Sequence, residues 1–595
     1  MRKKIAWILP CCLIVLSMIL ASCGTKTTPT TTTTSVVTTT TKTTTTKTSV
    51  TTTAPTTTGK WWDKFGTPQY GGTLTFRRTA DPGNYDPWYR EVMGGGVAGL
   101  YLQEFITRDW TTDPNDWNFT LNIAPKQYMK GQLAESWEMP DAATVIFPIR
   151  KGIQWQNKSP LNGREFVAGD IVYDFERKIG LGAFAGKGSP YVTTDAVTTG
   201  LQSITAPDKY TIIIKWKYPS LDILENLSDA GLQLRRGISK EVVDLGKADD
   251  WRYAIGTGPW ILDDYVSGSS TSWSRNPNYW AYDDRYPQNK LPYADNVRLL
   301  IIPDDATAIA ALRTGKLDEI EAITSENAKS LAQTNPNLLQ TTRDGAGPAI
   351  EYRCDMKPFT DIRVRTALQM ALDLDTIAKT FYDGVVEGTP VGLISYLYKD
   401  DVTPYEKWPQ SLKDQYAYNP EGAKKLLADA GYPTGFKTNV VVPSNQDMDL
   451  MQIVKSYLEN IGVDMEIRSM DPTSFAAFLK AWKHDQMSAR IPGATAMPYA
   501  GYRGLSRRWS QNQSNYTRNN DAKYDAYVDA YSTSTDFAER QKIINEAGLY
   551  LLEQHWAIQL LPIVNFVVYQ PWLKGFNGEI MLDYANYWIN KSTNK

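Results

Sequence analysis

The constraint that bears hardest on this chain is the punctuated run between Gly256 and Ile320. Gly256-Thr-Gly-Pro259 and Asn276-Pro-Asn278 are breaker clusters that force turns. Val297 to Ile302 is a short β-branched apolar run, the pattern of a buried strand. Asp305 is placed to cap a helix carrying Ala306, Ile309, Ala310 and Leu312, and Gly315 suits its C′ position. Turn, strand, helix and a further strand at Asp318-Glu-Ile320 make an α/β unit. A second unit of that kind follows. Asn419 caps and Pro420 opens a helix that Gly431 ends, Lys437 to Val442 is a strand, Asp447 to Asn460 a helix, and Val463 to Ile467 a strand. The lobe beginning near Glu321 is therefore expected to be α/β.

The amino-terminal part cannot join such a core. Arg2, Lys3 and Lys4 precede an apolar run from Ile5 to Leu20, the layout of a secretory signal over residues 1–22. Thr25 to Thr58 is about two-thirds threonine and lacks the apolar residues that could offset the entropy of ordering it. As a flexible coil it would span on the order of 30 Å. Residues 23–58 are thus read as a tether and residues 59–595 as the folded body.

That body exceeds one ordinary domain, so two or three lobes are expected. The formal net charge of −2 becomes −5 once Arg2, Lys3 and Lys4 leave, and no long basic stripe suits nucleic acid. Cys11 and Cys12 lie in the signal, leaving Cys23 and Cys354; no intrachain disulfide framework is possible. Cys354 reads as a small buried hydrophobe. With only His484 and His555, a catalytic triad or a histidine-rich metal site is poorly supplied, and neither a metal nor a cofactor is expected. No phosphate-binding Gly-Lys-Ser/Thr loop and no dinucleotide fingerprint occurs.

Several motifs, in order along the chain, carry a resemblance. They are Tyr70-Gly-Gly-Thr-Leu-Thr-Phe76, Asn84-Tyr-Asp-Pro87, Gln132-Leu-Ala-Glu-Ser-Trp-Glu138, Ile149-Arg-Lys-Gly-Ile153 and Gly256-Thr-Gly-Pro-Trp260. Arg275-Asn-Pro-Asn-Tyr-Trp280, Thr314-Gly-Lys-Leu-Asp318 and Pro358-Phe-Thr-Asp-Ile-Arg-Val-Arg365 follow. Together they resemble the extracytoplasmic solute-binding proteins of ABC importers, family 5, the peptide- and nickel-type branch. Leu20-Ala-Ser-Cys23 likewise resembles a bacterial lipobox, which implies cleavage before Cys23 and lipid on it. The resemblance implies a two-lobed periplasmic-binding-protein-like fold (type II, cluster C) with an extra insertion lobe. Lobe I would hold 59–100, 205–320 and 561–595, the insertion lobe 101–204, and lobe II 321–560. The chain would cross between lobes near Glu319–Ile323 and near Gln559–Asn565. It further implies a monomeric, lipid-anchored subunit outside the cytoplasm that captures a small molecule, peptide or oligosaccharide and delivers it to membrane permease subunits.

Two departures bear on the ligand. Peptide-binding members usually carry an acidic residue after the strand at Met487, and dipeptide-type members an arginine near Ser444 to Met451. This chain has no Asp or Glu between Asp485 and Asp521 and no arginine in the latter stretch. The resemblance places the loop after Met487 at the cleft, where it offers Tyr499, Tyr502, Arg503, Arg507, Arg508 and Trp509. The facing loop offers Tyr85, Trp88 and Tyr89. Aromatic faces with arginine donors suit a polar-neutral or anionic solute. Arg363 and Arg365 are read as helix-surface arginines. A surface-tethered carbohydrate-active hydrolase is the alternative, since a Thr-rich linker and abundant Trp and Tyr fit it too.

Overall fold

The computed structural model describes residues 59–593 except 83, 89–96, 121–123, 186–200, 218, 220–223, 225–236, 345–348, 391–400, 445–446, 491–514, 563 and 581–583. Its first strand, β1 (Thr73–Arg78), is buried along most of its length. Strands β2 (Glu138–Asp141), β3 (Thr144–Pro148), β4 (Leu201–Asp208) and β5 (Thr211–Trp216) form a four-stranded sheet in the order β2-β3-β5-β4. Helix α1 (Ala168–Ile179) lies over it. Val145, Phe147, Ile171, Phe175, Ile212 and Ile214 meet in this layer's core.

The chain then returns to β1. Strands β6 (Trp260–Val266) and β7 (Ser270–Arg275) form a hairpin, and β8 (Asn296–Ile301) leads into α2 (Asp305–Arg313). Next come β9 (Glu319–Ile323), α3 (Ser325–Thr334) and β10 (Leu339–Asp344). The Gly-Thr-Gly turn before β6 is a steric requirement: a Cβ on Gly256 would stand 1.8 Å from the carbonyl oxygen of Tyr101. The cap of α2 is Asp304, which accepts from Thr307 N–H at 2.7 Å, and not Asp305. Asp305 instead receives the Arg77 guanidinium at 2.6 Å.

A second layer follows: β11 (Ala349–Tyr352), α4 (Ile362–Met370), α5 (Pro420–Asp429), β12 (Phe436–Pro443), α6 (Met448–Glu459), β13 (Val463–Met470) and β14 (Met487–Arg490). Helices α7 (Ala522–Thr533) and α8 (Phe537–Gln554) lead to β15 (Ala557–Gln559), and β16 (Val564–Tyr569) ends the series. The five-stranded sheet has the order β13-β12-β14-β11-β15 and the seven-stranded sheet the order β10-β16-β9-β1-β8-β7-β6. Caps at Asp361, Asn419 and Asp447 start α4, α5 and α6, each accepting a backbone N–H of the first turn.

Sheet membership corrects two expected boundaries. Strands β4 and β5 pair antiparallel within one sheet, so the inserted layer continues through Trp216 and does not stop at residue 204. Strands β9 and β10 both pair with β16 in the seven-stranded sheet. The chain therefore passes to the five-stranded sheet between Asp344 and Ala349, not at Glu319–Ile323. It passes back between Gln559 and Val564, with β15 in one sheet and β16 in the other. Arg365 is also not on the surface. It is 6% exposed and donates to the carbonyls of Phe359, Gln554 and His555, tying α4 to the end of α8. Arg363 does stay exposed, paired with Asp361.

Candidate functional site

Strand register alone locates the space between the two large sheets. In the seven-stranded sheet β1 runs parallel to β8 and β9, so their carboxyl ends at Arg78, Ile301 and Ile323 share one edge. Asp344 and Val564 pair at that same edge, and both connections to the other sheet leave from there. In the five-stranded sheet β12, β13 and β14 are parallel, with carboxyl ends at Pro443, Met470 and Arg490. Ala349 pairs with Arg490 and with Gln559, so both connections reach this sheet at its carboxyl edge. Both connections between the sheets thus run from one carboxyl edge to the other. Ligands of open α/β sheets bind outside the carboxyl ends of the strands.

On the first edge the loop after β1 is pinned. Asp81 accepts from Tyr265 Oη–H, Gly268 N–H and, at 2.9 Å, Ser267 Oγ–H. Asp86 receives Arg177 of α1 at 2.5 Å. Trp88 Nε1–H donates to Asp174 at 2.9 Å, and Lys178 lies 3.9 Å from the centre of the Trp88 ring. Burial pushes the Asp174 carboxyl up to about 7. Tyr85 and Trp88 are 2% and 3% exposed. These two expected wall residues are therefore packed into cores, Tyr85 beside β1 and Trp88 against Phe175, because the Asn84–Pro87 turn points both rings inward. Tyr89, Tyr499, Tyr502, Arg503, Arg507, Arg508 and Trp509 lie outside the described residues.

On the second sheet the two faces differ in kind. Val440, Val442, Met487, Ala489, Ile350, Tyr352 and Ile558 point into the apolar core under α4 and α6. Their alternates on the opposite face include Asn439, Ser488 and Glu351, with Ser488 beside both Val441 and Glu351 in register. All three are buried. Asn439 Oδ1 and Ser488 Oγ find no hydrogen-bond partner among the described residues. The alternation in Ala349-Ile-Glu-Tyr352 and Met487-Ser-Ala-Arg490 was the available signal for this polar row, and the sequence reading missed it.

The profile described as "bacterial extracellular solute-binding proteins, family 5 Middle" matches residues 129–538. The chain belongs to this family. Heme-binding protein A of Haemophilus influenzae is 28% identical over 478 residues, 75% of this chain and 81% of that protein. A dipeptide-binding protein of Pseudomonas aeruginosa is 26% identical over 81% of this chain and 90% of its own length. Among solved structures, the ABC transporter-associated periplasmic binding protein DppA from Helicobacter pylori, in complex with peptide STSA, superposes with a TM-score of 0.68. That pair is 21% identical over 88% of this chain and 99% of the other. NikA from Brucella suis, in complex with Fe(III)-EDTA, gives a TM-score of 0.68 at 18% identity over 87% and 100%. These likenesses establish the two-lobed type II periplasmic binding fold.

In this family 5 solute-binding protein both histidines and Cys354 are held within the fold. His484 Nε2 bonds to the Tyr516 carbonyl at 2.8 Å, and burial lowers its pKa. His555 stacks on Tyr416, bonds to Gln415 Oε1 at 2.9 Å, and burial drives its pKa down to about 3. Both rings are neutral at pH 7. Burial pushes the Cys354 thiol up to about 12. Among the described residues no group of three His, Cys, Asp or Glu could hold a metal ion. None of their helices is long and apolar enough to cross a membrane.

Proposed function

We propose that this chain is the lipid-anchored substrate-binding subunit of an ABC importer, without enzymatic activity of its own. It captures a solute of the oligopeptide or oligosaccharide class between its two lobes and hands it to membrane permease subunits. ATP hydrolysis belongs to other chains of the transporter. The observation that carries this is that both connections between the two large sheets run from the carboxyl edge of one to the carboxyl edge of the other. Such an arrangement admits a solute when open and encloses it when the hinge closes. The relatives named as heme- and dipeptide-binding proteins support the binding role.

Lipid on Cys23 would hold the protein to the membrane as a monomer, with the Thr-rich segment as tether. The loop carrying Tyr499, Tyr502, Arg503, Arg507, Arg508 and Trp509 would line the cleft opposite the loop that carries Tyr85, Trp88 and Tyr89. Aromatic faces and guanidinium donors favour a polar-neutral or anionic solute over a cationic one. Native mass spectrometry of the protein released from its own host membranes tests the reading. A retained solute mass is expected in the parent and should be lost or depleted in Trp509→Ala. Turnover of an oligosaccharide by the purified protein, or lipid labelling that survives Cys23→Ala, would overturn the corresponding half.

A further inference from the structure

An excursion of the chain between two short paired strands has no part in the cleft described above. Ile106–Arg108 pairs antiparallel with Met129–Gly131, and the described residues 109–120 and 124–128 lie between these strands in the sequence. The strand pair is rooted in the inserted layer, where Phe105, Ile106, Leu133 and Ala134 join its core. The arm between the strands is stiffened locally: Asp109 accepts from Thr111, Asp113 from Asn115 and Asn118 from Thr120, each through a side-chain oxygen two residues back. Its aromatics pack on each other. Trp110 and Phe119 have ring centres 5.1 Å apart, and Trp117 stacks on Tyr128 at 5.7 Å.

The far side of this arm touches the other lobe. Trp117, Phe119 and Ala124 form one buried cluster with Tyr524 and Val528 of α7, Ile544, Ala547 and Leu551 of α8, and Trp556 before β15. At its near side Ile580 N–H, in the tail that returns to the seven-stranded lobe, donates to the Phe119 carbonyl at 3.2 Å. Trp117 and Phe119 are 6% and 5% exposed. The arm therefore bridges the two halves at a place other than the hinge connections. Any opening about the hinge has to separate these rings from α7 and α8 and expose them to water.

We propose that the described residues 109–120 and 124–128 form an apolar clasp that holds the two lobes together before a solute arrives. This inference rests on the two-lobed binding reading given above. The clasp raises the closed population of the empty protein, so the binding energy a solute must supply for closure is smaller. A ligand that binds only one conformation gains apparent affinity in proportion to the fraction already in it. Weakening the clasp should therefore open the empty protein and raise the apparent dissociation constant without touching a ligand contact.

The test needs no solute. Fluorescent labels are placed at the exposed positions Asp264→Cys, on the seven-stranded lobe, and Lys437→Cys, on the five-stranded lobe, of the full lipidated chain. Single-molecule energy transfer then reads the distance distribution. The parent should occupy mainly a short-distance population. Trp117→Ala should move molecules to a distance longer by several ångströms, raising the open-to-closed ratio about tenfold, the scale of one lost aromatic contact. Trp117→Phe should recover most of the closed population. Tyr527→Ala, on the half-buried α7 side of the same cluster, should repeat the shift and settles the matter if Trp117→Ala does not fold. Distributions identical to the parent in every folded variant would overturn the clasp. Failure to find a solute for the protein would leave this result standing and would count only against the import reading.

Discussion

Replacing Asp318 by alanine should destabilise the body while leaving the cleft chemistry alone. The carboxylate sits in the Gly-Lys-Leu-Asp motif and is completely buried. One oxygen accepts from Thr75 N–H of β1 at 2.7 Å, and the other from Trp572 Nε1–H at 2.8 Å. Its own backbone bonds both Thr75 and Gln570, so the residue joins β1, β9 and the carboxy-terminal tail. Alanine leaves two buried donors without their charged acceptor. Hydrogen bonds to charged groups contribute about 1.5–3 kcal/mol each, so the loss should be about 3–6 kcal/mol. Unfolding entropy for a body the size of Gly59–Lys595 is on the order of 1 kcal/mol per kelvin, which makes the expected fall in melting temperature about 3–5 °C. Asp318→Asn keeps one acceptor and should lose about half as much. Scanning calorimetry on the three proteins reads this directly. An alanine variant that melts with the parent, or that loses its solute while melting unchanged, would refute the structural assignment and give the carboxylate to the ligand.

The remaining predictions concern two other buried ionisable side chains. Glu319 is 2% exposed, and burial, aided by neighbouring Glu321, pushes its carboxyl from 4.5 up to about 8. A raised acid means that the folded state holds the proton through that window, so stability falls as pH rises from about 4.5 to 8. Glu319→Gln should therefore gain stability over the parent at pH 9 relative to pH 5; an equal difference at both pH values in thermal melts would contradict the burial argument. Arg365→Met should lower the urea midpoint by the equivalent of about 3–5 kcal/mol, because the last carbonyls of α8 lose a buried cationic donor. Arg365→Lys should recover only part of that, since an ammonium cannot reproduce the planar fork, and full recovery would show that charge alone is needed.

Much of this protein was legible in its sequence because the deciding interactions are local. Asn419 caps its helix through the backbone N–H three residues on, and that was readable from spacing. The strand at 436–443 and the ordered series of short motifs were legible for the same reason, and with them the α/β class and the family. The polar positions Glu351 and Ser488 were written in the alternation of their strands, but only the sheet register sets the two side by side. Tertiary structure alone decided the rest. The passage between sheets follows β10 because β16, more than two hundred residues later, lies between β9 and β10 and hydrogen-bonds to both. Arg365 is buried because the carbonyls it serves arrive from α8, and Trp88 is a core ring because Asp174 and Phe175 of α1 close over it. A periodicity or a cap records what a residue does to its near neighbours. Which distant group will desolvate it is fixed only when the sheets assemble.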